Sequence, residues 1–426
     1  MKRTLALSCV IAGLLSLPAT TTAQDVAITN VRIVVGTGSV IDSGTIVVRG
    51  GKIASVGPGT VSASNPQGVP VINGAGMTAV PGYIDGHKHV NNFNADQMRS
   101  LLEAGTTTVL AGGGPAEQNL ALAEHINKGE WIGPRVIPSG TVNLRQTPAE
   151  ARAAVQALAK MGVKHTGEIA LTPEPAPPQS EIETLKAIVD EAKKVGVQVN
   201  VHAVSSPAMV AAVDAGVTRL VHLPNKDFTS YDQADRVAQT GSIVAGLIAF
   251  GAPNIDRLST GPAAVQWPKD NQVRFRDGRP WPESIAGANR DAKGRATGTE
   301  AGYTIVNARR IWDADPMHNT MSYSTDQNAD DVVVLEHELK SFSIVFSAAD
   351  LFKIIGPNSA RFVGMSDQIG SLETGKLADI LLLDGNPMER DGIYTMLKAK
   401  VVIKEGKVLV DKRTSAPAAP PARPAR

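Results

Sequence analysis

From residue 81 to residue 372 short apolar, β-rich runs alternate with amphipathic helical text, and this alternation constrains the fold more than any other feature. The runs read TTTVLAG, PRVIPSG, HTGEIAL, VQVNVHAV, RLVHLP, SIVAGLIAFG and NTMSYSTD. Between them lie segments such as PAEARAAVQALAKMG and SEIETLKAIVDEAKKVG, whose apolar positions recur at helical spacing. Repeated strand–helix units of this length predict an α/β protein with a parallel sheet covered by helices. Their number fits an eight-stranded (β/α)8 TIM-like barrel better than an open sheet. In a barrel, ligands gather where the strands end at their C-terminal side.

The flanks read differently. Residues 24–80 are β-rich runs broken by turn residues, and residues 373–412 repeat that glycine-punctuated style in GKLADILLLDGNP and AKVVIKEGKVLV. The two ends are expected to pair as the two parts of one small β-sandwich domain, which the chain leaves and re-enters. Residues 1–23 read as a signal peptide: Lys2 and Arg3, an apolar stretch from Leu5 to Leu17, and small residues ending at Ala23. The apolar run is shorter than the roughly 20 residues that cross a bilayer. Export to the periplasm or medium is therefore expected, with no membrane association after cleavage. The Pro- and Ala-rich residues 413–426 read as a disordered tail.

The stretch 252–318 breaks the barrel rhythm and carries Trp267, Trp281 and Trp312, so it is read as an insertion forming a lid, a substrate wall or a small packed flap. Charge points to no partner: 42 Lys and Arg stand against 41 Asp and Glu, with no surplus to attract nucleic acid or an anionic membrane. The single cysteine, Cys9, lies in the signal stretch, so the mature chain is expected to have no disulfide, thiol nucleophile or thiolate metal site. Any metal must be held by imidazole and carboxylate.

Such groups fall at the predicted strand ends. In VPGYIDGHKHV, His87 and His89 are two apart and face one side of an extended strand, where they can share a metal. His202 ends VQVNVHAV and His222 ends RLVHLP, each where a strand opens into its loop. Asp326, after Ser-Thr, ends the eighth strand candidate, where a carboxylate can bind metal and accept a proton from water. Each alone has a plainer explanation, a core histidine or a turn aspartate; together on one barrel face they point to a site. His125, His165, His318 and His337 fall in helical or loop text.

In this order the residues resemble the amidohydrolase superfamily, in its imidazolonepropionase-like and prolidase-like branch. The closing text RFVGMSDQIGSLETGKLADILLLDGNP is similar to the segment by which that superfamily returns to its β domain. The resemblance implies a bridging ligand on the fourth strand, often a carboxylated lysine. Here Lys164 and Glu168 share strand parity, and Glu168 lies nearer the C-terminal end, so it is the expected ligand, with Lys164 as the alternative. One metal would then take His87, His89, Glu168 and Asp326, and a second Glu168, His202 and His222. Zinc suits this mixture of nitrogen and oxygen donors, in two sites or in one. Asp326 would be the catalytic proton acceptor.

The resemblance implies a metal-dependent hydrolase that cleaves a carbon–nitrogen bond in a small amide, carbamate or cyclic amide, and a homo-oligomer. The tryptophans point to an aromatic or apolar substrate. Dipeptidase relatives carry a tyrosine after the sixth-strand histidine and a histidine after the third strand. HLPNKDF and SGTVNLRQ lack them, so that specificity does not transfer. Arg145 and Lys226 are candidate anchors for an anionic substrate group. The alternatives are an ester or lactone hydrolase on the same centre, or a non-catalytic exported metal-binding protein.

Overall fold

The structure is a computed structural model, described here for residues 25–59, 69–248, 297–326, 332–389 and 392–413. The stretch read as a signal, residues 414–426 of the stretch read as a tail, and Trp267 and Trp281 lie outside these residues.

The chain opens with five strands, β1 (Val26–Val34), β2 (Val40–Arg49), β3 (Lys52–Pro58), β4 (Val71–Asn73) and β5 (Met77–Pro81). It ends with the strands Ile380–Asp384, Ala399–Lys404 and Lys407–Asp411, and all eight join one mixed sheet. The join is antiparallel pairing of β5 with Ile380–Asp384, Leu381 opposite Val80 and Leu383 opposite Thr78. Strand alternation explains how this sheet serves two cores. Ile380 and Leu382 face a core with Ile28, Ile33, Ile46 and Val401, while Leu381 and Leu383 face the barrel helices.

Eight parallel strands make the barrel. They are β6 (Tyr83–Lys88), β7 (Thr106–Ala111), a third strand in two pieces β8 (Arg135–Ile137) and β9 (Ser139–Gly140), then β10 (His165–Ala170), β11 (Gln198–His202), β12 (Arg219–Val221), β13 (Ile243–Gly246) and β14 (Met321–Tyr323). The third strand is split at Pro138. Proline offers no N–H to a ladder, so β8 pairs with β7 while β9 pairs with β10. At the other seam β14 meets β6, where the Asp326 N–H donates to the His87 carbonyl at 2.9 Å. Some of the helices between the strands start on side-chain caps; Thr147 with Glu150 and Ser230 with Gln233 form reciprocal capping boxes. Among the described residues no helix is long and apolar enough to cross a membrane.

One expectation is corrected. The last part of the stretch read as an insertion, 252–318, contains the helix Thr297–Ala314, which packs into the main core through Ile305, Val306, Ile311 and Trp312. Trp312 is only 1% exposed, stacked on His318 at 4.6 Å and edge-on to Phe346. It is a core residue, because the helix must bury its apolar stripe against the barrel, and it forms no substrate wall. On the same helix Asn307 holds the loop after β12: its Oδ1 accepts from the Thr229 N–H, and its Nδ2 donates to the Pro224 and Asp227 carbonyls.

Candidate metal centre

The strand ends bring six side chains to one place. His87 lies near the end of β6 and His89 just beyond it, Glu168 is in β10, His202 ends β11, His222 follows β12, and Asp326 follows β14. Their ligand atoms fall into two groups, each within 4.8 Å: His87, His89, Glu168 and Asp326, and Glu168, His202 and His222. Glu168 belongs to both. Its Oε1 lies 3.2 Å from His89 Nε2, and its Oε2 lies 2.8 Å from His202 Nδ1 and 3.4 Å from His222 Nε2. Asp326 Oδ1 lies 3.1 Å from His87 Nε2 and 3.0 Å from His89 Nε2.

Glycines make the room. A Cβ at Gly112 would lie 2.8 Å from the His87 ring, and one at Gly113 would lie 3.1 Å from the His89 ring. Asn119, fully buried, donates to the carbonyls of Gly113 and Ser139 and so ties this loop to the next strand. Two of the six residues have left-handed backbones that L-residues avoid, His222 at φ 71° and Asp326 at φ 49°. Such conformations cost about 1–3 kcal/mol each and persist where the surroundings require them, often at functional sites.

The electrostatics favour charged carboxylates. Burial opposes ionisation of Glu168, but hydrogen bonds from His202, His222 and His89 outweigh it and hold the group well below the usual carboxylate range. Asp326 is likewise held low by His87 and His89 against its burial. In return Asp326 and Glu168 raise the His89 imidazole to about 10. Burial lowers His222.

The donor set fits a metal. His87 Nε2 and Asp326 Oδ1 are buried and, although 3.1 Å apart, neither completes a hydrogen bond. Buried polar atoms left this way are rare and call for a partner. Here the two stand among the ligand atoms of one group, in the nitrogen and oxygen mixture that zinc-type cations accept.

The other candidates stand apart. Lys164 is exposed before β10 begins, at the opposite end of that strand from the cluster, so the carboxylated-lysine alternative lacks the geometry. Arg145 and Lys226 are exposed on the loops after β9 and β12. His165, read as outside strand text, begins β10 at the barrel's far end, where its Nε2 lies 3.3 Å from the Val363 carbonyl. The sequence reading passed over Lys88, between the two histidines. A lysine inside a strand buried on both faces is the signal that could have found it, since its side chain must enter the protein wall.

Comparison with known proteins agrees with this architecture. A Xaa-Pro dipeptidase with bound methionine in its active site superposes with TM-score 0.70 at 20% identity, covering 91% of this chain and 100% of that one. Phenylurea hydrolase B does so with TM-score 0.69 at 22% identity, covering 91% and 97%. An N-acyl-D-aspartate deacylase from Alcaligenes xylosoxydans xylosoxydans is 32% identical over 90 residues, 21% of this chain. The chain spans less than a fifth of the length of the curated relatives it matches. The sequence of residues 78–409, which takes in the whole barrel, most of β5 and most of the three closing strands, matches the amidohydrolase family, and the chain belongs to that family.

Proposed function

We propose that this protein is an exported amidohydrolase with a binuclear zinc centre that cleaves the carbon–nitrogen bond of a small amide, carbamate or cyclic amide. The observation that carries the reading is Glu168, placed between two donor groups, with Asp326 beside the first. The amidohydrolase family is metal-dependent, and phenylurea hydrolase B, by its name, acts on a compound with carbon–nitrogen bonds.

His87, His89, Glu168 and Asp326 would hold one cation, and Glu168, His202 and His222 the other. When bound, the cations supply Lewis acidity that makes water a nucleophile near neutral pH and polarises the carbonyl under attack. The chain's own part is proton management. Asp326 stays ionised at neutral pH, so it can accept the proton that water loses as its oxygen bonds to the carbonyl carbon. When the carbon–nitrogen bond breaks, Asp326 returns that proton to the departing nitrogen, and the aspartate is regenerated. Glycines 112 and 113 and the held loop after β12 keep the acceptor and the imidazoles in register. Arg145 and Lys226, on the rim, are proposed anchors for an anionic substrate group, and the two tryptophans of the preceding stretch favour an aromatic or apolar one.

Metal analysis of purified wild-type protein beside Glu168→Ala and Lys164→Ala tests the centre, followed by a screen of aryl amides, carbamates and phenylureas. About two zinc ions per chain, lost only in the Glu168 variant, are expected from the two donor groups. Retention of both zincs by Glu168→Ala, or turnover of phosphate esters alone, would sink the reading. Amino-terminal sequencing of exported protein tests cleavage after Ala23, and light scattering tests self-association.

A further inference from the structure

Behind the centre lies a buried group of charges that the reaction above does not use. Lys88, between His87 and His89, points away from the ligand face and is 1% exposed. Its Nζ donates to Thr325 Oγ1 at 3.0 Å, and that hydroxyl donates to Asp85 Oδ2 at 2.6 Å. The other Asp85 oxygen accepts two backbone N–H groups, from His87 at 3.1 Å and from Thr325 at 3.2 Å. A further step along, the Asp326 N–H donates to the His87 carbonyl. One carboxylate thus fixes the backbone of one proposed ligand and of the residue next to another, across the seam where the first and last barrel strands meet.

The choice of lysine is informative. Burying charged groups is rarely the most favourable way to stabilise a wall, and apolar residues of similar volume do as well or better. A buried chain of hydrogen bonds does specify geometry, because each group must keep its partner. The geometry to be specified is unfavourable on its own, since Asp326 sits at φ 49°.

We propose that Lys88 is a positioning residue: with Thr325 and Asp85 it locks the β6–β14 seam so that His87 and Asp326 meet the metal in a fixed arrangement. This rests on the reading that both residues are metal ligands. Burial opposes a charge on Asp85 and Lys88 favours it, Asp85 gathers N–H groups from both sides of the seam, and the Thr325 hydroxyl joins the two.

The test uses metal alone, so it needs no substrate. Zinc affinity by chelator competition and the visible absorption of the cobalt(II)-loaded protein are compared for wild type, Lys88→Met, Asp85→Asn and the double variant. Groups that orient metal ligands from behind are worth about 10–100-fold in affinity. Each single variant is expected to weaken zinc binding by that factor and to alter the cobalt spectrum. The double variant, in which the asparagine Nδ2 can donate to Thr325 in place of the lost lysine, is expected to recover at least about tenfold over Lys88→Met. A role in stability alone predicts additive losses and no spectral change, and that result would overturn the proposal. Wild-type zinc affinity in Lys88→Met overturns it too and leaves the metal centre standing, whereas a wild-type protein that binds no zinc removes both. Thr325→Val, isosteric and lacking the hydroxyl, carries the same expectation should Lys88→Met not fold.

Discussion

His89 and His165 occupy opposite ends of one barrel, and the same side chain is driven in opposite directions. At the C-terminal rim Asp326 and Glu168 raise His89 to about 10. At the far end burial, with Arg219 nearby, lowers His165 to about 3. The first histidine has carboxylates for neighbours and the second has backbone and a guanidinium, so the first is favoured as a cation and the second as a neutral ring. A barrel separates these tasks naturally: substrate chemistry belongs to the loops at one face and stability to the other.

The largest effect that would break this contrast is at Asp326. Asp326→Asn removes the proposed proton acceptor with little change in volume, and kcat is expected to fall by ~10²–10⁴-fold. His165→Gln at the other end should leave kcat and zinc content unchanged while lowering stability. Steady-state kinetics beside metal analysis checks both, and equal losses at the two ends would erase the distinction.

Removing the metal should loosen only the rim thermodynamically. With free zinc at 100 times its dissociation constant, binding contributes about 2.7 kcal/mol, and chelation should remove that amount from wild type and from His165→Gln alike. Denaturant unfolding with and without chelator measures it.

Acid should expose the opposite end. His165 has its folded pKa below the unfolded value of about 6.5, so below pH 6.5 the unfolded chain binds the extra proton. The stability from keeping this histidine neutral is complete above pH 6.5 and is lost as pH falls toward 3. Between pH 6.5 and 5 the loss is about 2 kcal/mol. In chelator, wild type should show that decline and His165→Gln a flatter one; parallel curves would refute it.

The smallest effect is a proton count. His89, held protonated below about 10 in the metal-free protein, must give up its proton to become a ligand. Zinc uptake at pH 7 should therefore release about one proton from it. Apparent affinity should climb as pH rises toward 10. Calorimetry in buffers of different ionisation enthalpy reads the release.

Much of the candidate site was legible because barrel sites gather where strands end, and strand ends can be read from apolar runs. His87 and His89 declared themselves by spacing, and His202 and His222 by closing buried runs. Glu168 was preferred to Lys164 on strand direction alone, and the exposed position of Lys164 bears on the same point. What escaped the sequence depended on packing between distant segments. Nothing near Lys88 announces that Thr325, 237 residues on, accepts its hydrogen bond. The helix Thr297–Ala314 follows directly on text rich in Arg, Gly, Pro and Asp and mixes polar with apolar residues, so Trp312 looked like a residue of an insertion.

The pairing of β5 with the strand Ile380–Asp384 has a consequence in time as well as space. The Thr78 hydroxyl donates to the carbonyl of Gly385, 307 residues later. Loops that long close slowly. While the chain emerges from its amino terminus, β5 must wait with one edge bare until the whole barrel has passed. An exposed edge is an invitation to any other extended strand, so the most vulnerable moment in this protein's life falls just before its last three strands arrive.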